Sequence, residues 1–302
     1  MHGNPGRGVV HLTHYTCSGI PAQLGHSTDP RITVLTYVVL TFAFSSVFWY
    51  LISVTRVVAA NGGVLLTYTV ATMWCPATAA IITRLVFQRN LKGFGFRWGK
   101  TRLQLVGMLL PIGAGFFMFG TAWLSGVAPF NAEKAATVFS LSFIPVFLFG
   151  IVFNVFAACG EELGWRGFLV PELSGWMGFT ALALVSGAIW TVWHFPLIFF
   201  GTYHGTGPLW YSLLVFVPSV MGAGLVLAWL RLASGSVWVA VFFHGFWNYF
   251  IQQFYPALAV TTQVGNMMLG EFGWFVALAY AVLAAVFWHY RYRLPAVVQG
   301  SQ

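Results

Sequence analysis

Eight apolar runs follow one another along this chain of 302 residues, and each is long enough to cross a lipid bilayer as a helix. Roughly 20 apolar residues span the hydrocarbon layer, where every backbone N–H and C=O must be bonded inside the helix. We therefore predict an all-α, polytopic membrane helix bundle with about eight transmembrane helices. The predicted spans are residues 32–54, 64–86, 103–125, 138–160, 179–200, 208–230, 237–254 and 268–290.

The composition excludes the soluble alternatives. Apolar residues make up 59% of the chain and charged residues only 7%, whereas a soluble domain usually carries about 25% charged residues. A disordered chain needs low hydrophobicity and many like charges, so it is excluded as well. Cys17, Cys75 and Cys159 lie far apart and form no CxxC pair. Neither a disulfide framework nor a cysteine–zinc site is therefore predicted.

Basic side chains predict how the bundle is oriented, because Lys and Arg in short loops stay on the cytoplasmic side during insertion. The alternate loops hold only Arg56 and Lys134. The segment after the second span holds Arg84, Arg89, Lys92, Arg97, Lys100 and Arg102. We therefore expect both termini to be cytoplasmic, in an integral multi-pass protein of the cell membrane, or of the endoplasmic reticulum membrane in a eukaryote. This distribution explains the net charge of +8 without a nucleic-acid partner.

The chain divides into four predicted regions. Residues 1–30 form a polar cytoplasmic tail, and residues 31–137 form the N-terminal transmembrane helices. Residues 138–254 form a core that contains most of the intramembrane polar side chains. Residues 255–302 form the last transmembrane helix and a cytoplasmic C-terminus.

Local features refine the predicted helices. The fourth span is expected to continue into EELGWRGFLVPEL and to end at Pro171, because proline lacks the N–H that a helix needs. Three pairs of glycines predict close packing between neighbouring helices: Gly160 with Gly164, Gly113 with Gly115, and Gly222 with Gly224.

Two adjacent acidic residues end the fourth apolar run, in a chain that has only six acidic residues. An ionised side chain at the membrane centre costs about 2.5–3.5 kcal/mol on insertion scales, so such groups are usually paired or functional. Glu162 and Arg166 are four residues apart and share a helix face, where a salt bridge can form. Glu161 is rotated by about 100° from Glu162 and can face a cavity. An ordinary charged helix end is the structural alternative.

Two histidines and an asparagine lie inside other predicted spans. His194 is surrounded by aromatic and aliphatic residues, and Asn248 follows His244 at a spacing of four, on the same helix face. A hydrogen bond between helices would explain each of them alone. Their joint occurrence with the carboxylate pair predicts that they converge on one cavity. Counted along the helices, however, His194 lies about 20 Å from the cytoplasmic end and His244 about 12 Å, so tilted helices are required.

The order and spacing of these residues resemble the CPBP family of intramembrane endopeptidases. This family, also called the type II CAAX protease or Abi family, includes the Ras-converting prenyl-protein protease. EELGWR matches its EExxxR motif, WTVWH its FxxxH motif and HGFWN its HxxxN motif. Trp190 replaces the phenylalanine of the second motif, which exchanges one large aromatic side chain for another. The resemblance covers residues 138–254.

The resemblance implies a hydrolytic role for the polar residues. Glu161 would activate a water molecule with the help of His194, while His244 and Asn248 would stabilise the oxyanion. These roles suit peptide hydrolysis, which needs a base to take a proton from water and donors aimed at the carbonyl oxygen.

The resemblance also implies that Glu162 and Arg166 brace the site. No cofactor is expected. Zinc is the alternative, because a carboxylate and two histidines can bind this metal, although the chain contains no HExxH motif. The zinc ligands would then be Glu161, His194 and His244.

We therefore expect an intramembrane endopeptidase that cuts near the cytoplasmic end of a membrane-associated or prenylated, CAAX-type protein or peptide. Its partners would be membrane lipid and that substrate. A proton-coupled transporter would use the same ionisable residues as a relay. The lack of recognisable inverted repeats in the sequence disfavours that alternative. A non-catalytic immunity or binding protein on the same scaffold is the third possibility.

Overall fold

The computed structural model describes residues 29–58, 62–201 and 203–295. The predicted polar tail at residues 1–30 lies almost entirely outside the described residues, as does the end of the chain after residue 295. Within the described ranges the chain forms helices joined by short segments, together with an isolated β-bridge between Phe130 and Ala259.

The helices follow the order predicted from the apolar runs. They are α1 (Pro30–Val58), α2 (Gly62–Gln88), α3 (Thr101–Ser125), α4 (Ala132–Val138), α5 (Ile144–Gly164), α6 (Val170–Ser174), α7 (Phe179–Phe200), α8 (Leu209–Ser234), α9 (Trp238–Tyr249), α10 (Tyr255–Ala257), α11 (Gln263–Met268) and α12 (Trp274–His289). A first π turn, Trp165–Leu169, joins α5 to α6, and a second, Phe250–Phe254, joins α9 to α10. Short 3₁₀ turns precede α5 at Leu141–Phe143 and follow α12 at Tyr290–Arg293.

Within the described residues, seven helical segments are long and apolar enough to cross a membrane. This finding confirms the predicted all-α, polytopic bundle and an integral membrane protein. The predicted span at residues 237–254 corresponds to a continuous helical run at residues 238–257, formed by α9, the second π turn and α10. This run is not among the seven, and polar side chains such as His244 and Asn248 lower its apolar content.

Several helix boundaries differ from the prediction by a few residues, and glycine or proline lies at two of them. The last span begins at Trp274 rather than at residue 268, because the chain bends at Gly270, whose φ of 73° lies in the left-handed region. The fourth span does not end at Pro171 but continues to Ser174. Pro171 lies in the first turn of α6, directly after the first π turn, where a missing N–H is tolerated.

Small residues allow α2 and α5 to approach each other closely. A Cβ added at Gly160 would lie 2.7 Å from the carbonyl oxygen of Met73, and Gly164 is equally crowded. The predicted close contact at this glycine pair is therefore confirmed. The prediction for Gly113 is wrong, because nothing lies within 4 Å of a Cβ added there, whereas Gly115 does pack against a neighbouring helix.

The segment at residues 89–100, which joins α2 to α3, packs against one end of the bundle. Phe94 in this segment is 1% exposed. Arg231 on α8 fixes the segment, since its Nη2 donates to the carbonyl oxygen of Gly93 at 3.0 Å. The Nε of the same arginine donates to the carbonyl oxygen of Arg166 at 2.9 Å. The basic end of the bundle is thus tied directly to the first π turn.

Candidate active site

Glu161 lies on the last turn of α5, where it is almost fully buried. The indole N–H of Trp190, on α7, donates to its Oε2 at 2.8 Å. A hydrogen bond to an ionised carboxylate is among the stronger ones in proteins. Trp190 therefore fixes one carboxylate oxygen, which restricts how the other oxygen can be placed.

Glu162 is completely buried and joins two of the motifs. Its Oε1 accepts from Nη1 of Arg166 at 2.9 Å, which confirms the predicted ion pair. The same oxygen lies 2.8 Å from Nδ1 of His244, on α9. Arg166 belongs to the first π turn, and π turns are frequent at functional sites. One buried oxygen therefore connects the ends of two motif helices.

His194 has a defined tautomer in its neutral form. Its Nδ1 lies 2.8 Å from the carbonyl oxygen of Trp190, one helical turn earlier. A carbonyl oxygen can only accept, so Nδ1 carries the hydrogen and Nε2 of the neutral ring carries a lone pair. The ring also stacks on Tyr203, with 5.7 Å between centroids. Nε2 of His194 can therefore accept a hydrogen bond.

Trp190 contacts residues of all three motifs as well as donating a hydrogen bond. While its edge donates to Glu161, the guanidinium of Arg166 lies 4.1 Å from the centroid of an indole ring. The rings of His194 and His244 contact the same indole, with centroid distances of 5.6 and 5.5 Å. The difference in depth expected from counting along each helix therefore does not separate the two histidines. A phenylalanine could make the ring contacts but not the hydrogen bond.

The structure brings four of the six predicted side chains to one cavity of about 270 Å³. They are Glu161, His194, His244 and Asn248. The Glu162–Arg166 ion pair lies outside the lining of this cavity. This arrangement separates side chains that can meet a substrate from side chains that can only support them.

Other polar residues of the cavity were not predicted. Nε2 of Gln252 donates to Oδ1 of Asn248 at 3.2 Å and to Oε2 of Glu271 at 2.8 Å. Tyr203 joins these three residues in the lining of the cavity. Burial raises the pKa of Glu271 to about 7. Gln252 could have been predicted from the sequence, because it continues the spacing of four from His244 and Asn248 on one helix face. Glu271 could have been predicted because the chain has few acidic residues.

The cavity lies away from the basic segment at residues 89–100. Its lining includes Ile52 near the end of α1, Thr69 near the start of α2 and Leu197 near the end of α7, whereas the basic segment follows the end of α2. In the predicted orientation this half of the bundle is the non-cytoplasmic one. The basic segment and the cavity therefore cannot both lie near the cytoplasmic face. The predicted orientation excludes the predicted cleavage near the cytoplasmic end.

The donor set does not fit a metal ion in this structure. Among the residues that the structure describes, no three His, Cys, Asp or Glu side chains are grouped so that they could hold a metal. This finding applies to the possible zinc ligands Glu161, His194 and His244, which do not form such a group. Nδ1 of each histidine lies 2.8 Å from another protein oxygen, so only Nε2 of each ring could bind a ligand.

Comparison with known proteins places these residues in a family context. Residues 141–250 match the model of a family described as type II CAAX prenyl endopeptidase, Rce1-like. A protein named CAAX prenyl protease 2, from Methanococcus maripaludis, is 32% identical over 111 residues. That alignment covers 35% of this chain and 39% of the relative. The matched residues 141–250 include all three motifs and end before Gln252.

Proposed function

We propose that this chain is an intramembrane endopeptidase, because residues 141–250 match the model of the Rce1-like type II CAAX prenyl endopeptidases. Its substrate would be a membrane-associated or prenylated, CAAX-type protein or peptide. One observation carries the proposal: Glu161, held on one oxygen by Trp190, lines a cavity together with two histidines and Asn248. A general base next to hydrogen-bond donors is the arrangement that hydrolysis of an amide requires.

In the proposed reaction, a water molecule in the cavity gives a proton to Glu161 as it attacks the carbonyl carbon of the scissile bond. His194 supports this step because Nε2 of its neutral ring can accept a hydrogen bond from the same water. The tetrahedral intermediate then collapses, and the proton passes from Glu161 to the leaving amine. General acid–base catalysis of this kind typically contributes about 100- to 10,000-fold to the rate.

His244 and Asn248 are proposed to stabilise the oxyanion. Because Nδ1 of His244 faces the Glu162 carboxylate, its Nε2 can donate only when the ring is doubly protonated. When both glutamates are ionised, as the proposed reaction requires of Glu161, Arg166 balances one of the two negative charges. A charged His244 would complete the balance and place a donor in the cavity.

Glu162 and Arg166 are proposed to act as supports. The carboxylate of Glu162 holds both Arg166 and His244, while Arg166 lies against the indole of Trp190. Apolar side chains complete the cavity wall, among them Phe216 and Val220. An apolar wall suits the aliphatic residues of a CAAX-type tail, since burying such side chains is favourable.

The proposal is tested by Glu161→Gln, with Glu133→Gln as the control, because Glu133 is an exposed acid on α4. The assay measures, by mass spectrometry, release of the last three residues from a prenylated peptide that ends in Cys-aliphatic-aliphatic-X. We expect at least about a 100-fold slower reaction for the first variant and an unchanged rate for the second. A folded Glu161→Gln protein with the normal rate would overturn the proposal.

The physiological substrate can be sought in the host membrane. Membrane peptides are compared between cells that carry the native chain and cells that carry Glu161→Gln. A product missing only in the variant identifies both activity and substrate. Identical peptide profiles, in cells where both proteins are present at the same level, would favour a non-catalytic binding or immunity protein.

No metal is proposed to take part. Stoichiometric metal analysis of active purified protein tests this, and one tightly bound zinc per chain that is lost together with activity would overturn it.

We also propose that both termini are cytoplasmic, on the strength of the basic segment at residues 89–100. Single cysteines at the exposed positions Lys92 and Val260, introduced after replacement of the native cysteines, test the orientation. We expect a membrane-impermeant thiol reagent to label position 92 from the cytoplasmic side and position 260 from the other side. The reverse pattern would overturn the orientation and place the cavity in the cytoplasmic half.

A further inference from the structure

Gln252 and Glu271 form a hydrogen-bonded chain that ends on Asn248. Gln252 lies in the second π turn, four residues after Asn248, and Glu271 lies in the loop before α12. The amide nitrogen of Gln252 donates to Oδ1 of Asn248 at 3.2 Å and to Oε2 of Glu271 at 2.8 Å. An amide NH₂ group has two hydrogens, so it can serve both acceptors at once.

This chain determines which way the Asn248 amide points. A carboxamide is planar, and its oxygen and nitrogen lie on opposite sides of Cγ. With Oδ1 directed at the Gln252 donor, Nδ2 is directed away from it, and only Nδ2 can donate to an oxyanion. The flipped amide would place two NH₂ groups against each other and lose a hydrogen bond.

Glu271 determines which end of the Gln252 amide faces Asn248. Oε2 of Glu271 accepts from the nitrogen end of Gln252, and it can do so whether or not the other carboxyl oxygen carries a proton. Tyr203 lines the same cavity as Glu271, and Gln252 donates to the Glu271 carboxylate. The left-handed bend at Gly270 directs the loop that carries Glu271.

From this geometry we infer that Gln252 and Glu271 are positioning residues that hold the Asn248 amide in its donating orientation. The inference rests on the proposed function, because it assigns Asn248 as an oxyanion donor. Removing one oxyanion donor typically costs about 100- to 1000-fold in rate. Loss of the positioning chain leaves the donor present but free to flip, so a smaller effect, about tenfold, is expected.

A double-mutant cycle tests the inference with the prenylated CAAX-type peptide as probe. In the native background, Gln252→Leu should lower kcat about tenfold with little change in KM. In an Asn248→Ala background, the same substitution should have no further effect on the residual rate. The matched control is Gln253→Leu, which removes a glutamine that donates to Asn154 and lies outside the cavity lining. This control should retain the normal kcat.

Glu271 provides a rescue experiment. Glu271→Leu should lower kcat about as much as Gln252→Leu, because Gln252 then loses the acceptor that orients it. Glu271→Gln should restore most of the rate, since its amide oxygen can still accept. A merely structural role of Glu271 would not produce this split between the two variants at equal thermal stability.

The inference is overturned if Gln252→Leu leaves kcat unchanged, or if it lowers the rate equally with and without Asn248. Gln252→Met, of similar length, replaces the leucine variant if the latter does not fold. Failure of this positioning role can be distinguished from failure of the proposed function. An active Glu161→Gln protein would overturn the function itself, whereas an inactive one combined with an additive cycle would overturn only the positioning role.

Discussion

Glutamine substitutions at two adjacent glutamates should have different consequences. Glu162→Gln should mainly lower stability, whereas Glu161→Gln should mainly remove activity. Oε1 of Glu162 is completely buried and accepts two charge-assisted contacts, from Arg166 at 2.9 Å and His244 at 2.8 Å. Removing one partner of a buried ion pair costs about 3–5 kcal/mol, because the remaining charge stays buried. We therefore expect Glu162→Gln to lower the free energy of unfolding by about that amount.

Glu161→Gln should be nearly neutral for stability. Glu161 accepts one hydrogen bond, from Trp190, and a glutamine oxygen can still accept it. The lost charge assistance is worth about 1 kcal/mol and is offset by relief of repulsion from Glu162. Catalysis, in contrast, should be lost.

Denaturant titration of the detergent-solubilised proteins, followed by tryptophan fluorescence, measures the two free energies against a Glu133→Gln control. Peptide cleavage is measured in the same preparations. Equal destabilisation by the Glu161 and Glu162 substitutions would show that both carboxylates are structural supports. A Glu162→Gln protein within about 1 kcal/mol of the native chain would refute the assignment of Glu162 as the buried connection.

Other predictions follow from single contacts. Trp190→Phe keeps the ring but removes the donor to Glu161, so we expect kcat to fall about tenfold; an unchanged kcat would contradict this role. Gly160→Ala should destabilise the protein by about 1–3 kcal/mol through overpacking, whereas Gly113→Ala, with nothing within 4 Å, should not; equal thermal midpoints would refute the packing account. The pKa of Glu271 is raised from 4.5 to about 7, so the folded state keeps a proton that the unfolded state has already lost. Stability should therefore decline between these pH values and be level in Glu271→Gln; parallel pH profiles would refute it.

Helical periodicity was sufficient to predict relations within one helix. The pairing of Glu162 with Arg166 follows from their spacing, and the structure contains this ion pair. Convergence of the motif helices was predicted from the scarcity of polar side chains. The structure places Glu161 with both histidines at one cavity. Their catalytic roles stay predictions.

Relations that depend on the direction of a side chain were not predictable. The indole N–H of Trp190 points at a carboxylate only because α7 presents that edge to α5. Gln252 and Glu271 meet because the loop before α12 bends at a left-handed glycine, so no periodic pattern connects them. The continuation of the fourth span past Pro171 likewise depends on a π turn that apolar periodicity does not reveal.

The sharing of Glu162 between Arg166 and His244 has a consequence for biosynthesis. These two partners lie on segments that leave the ribosome at different times, since His244 follows Glu162 by 82 residues. The nascent α5 therefore enters the lipid before its histidine counterpart has been translated. A prematurely terminated product lacks that ring and part of the cavity wall. The order of synthesis thus leaves the Glu162 carboxylate with Arg166 as its partner until α9 has been made.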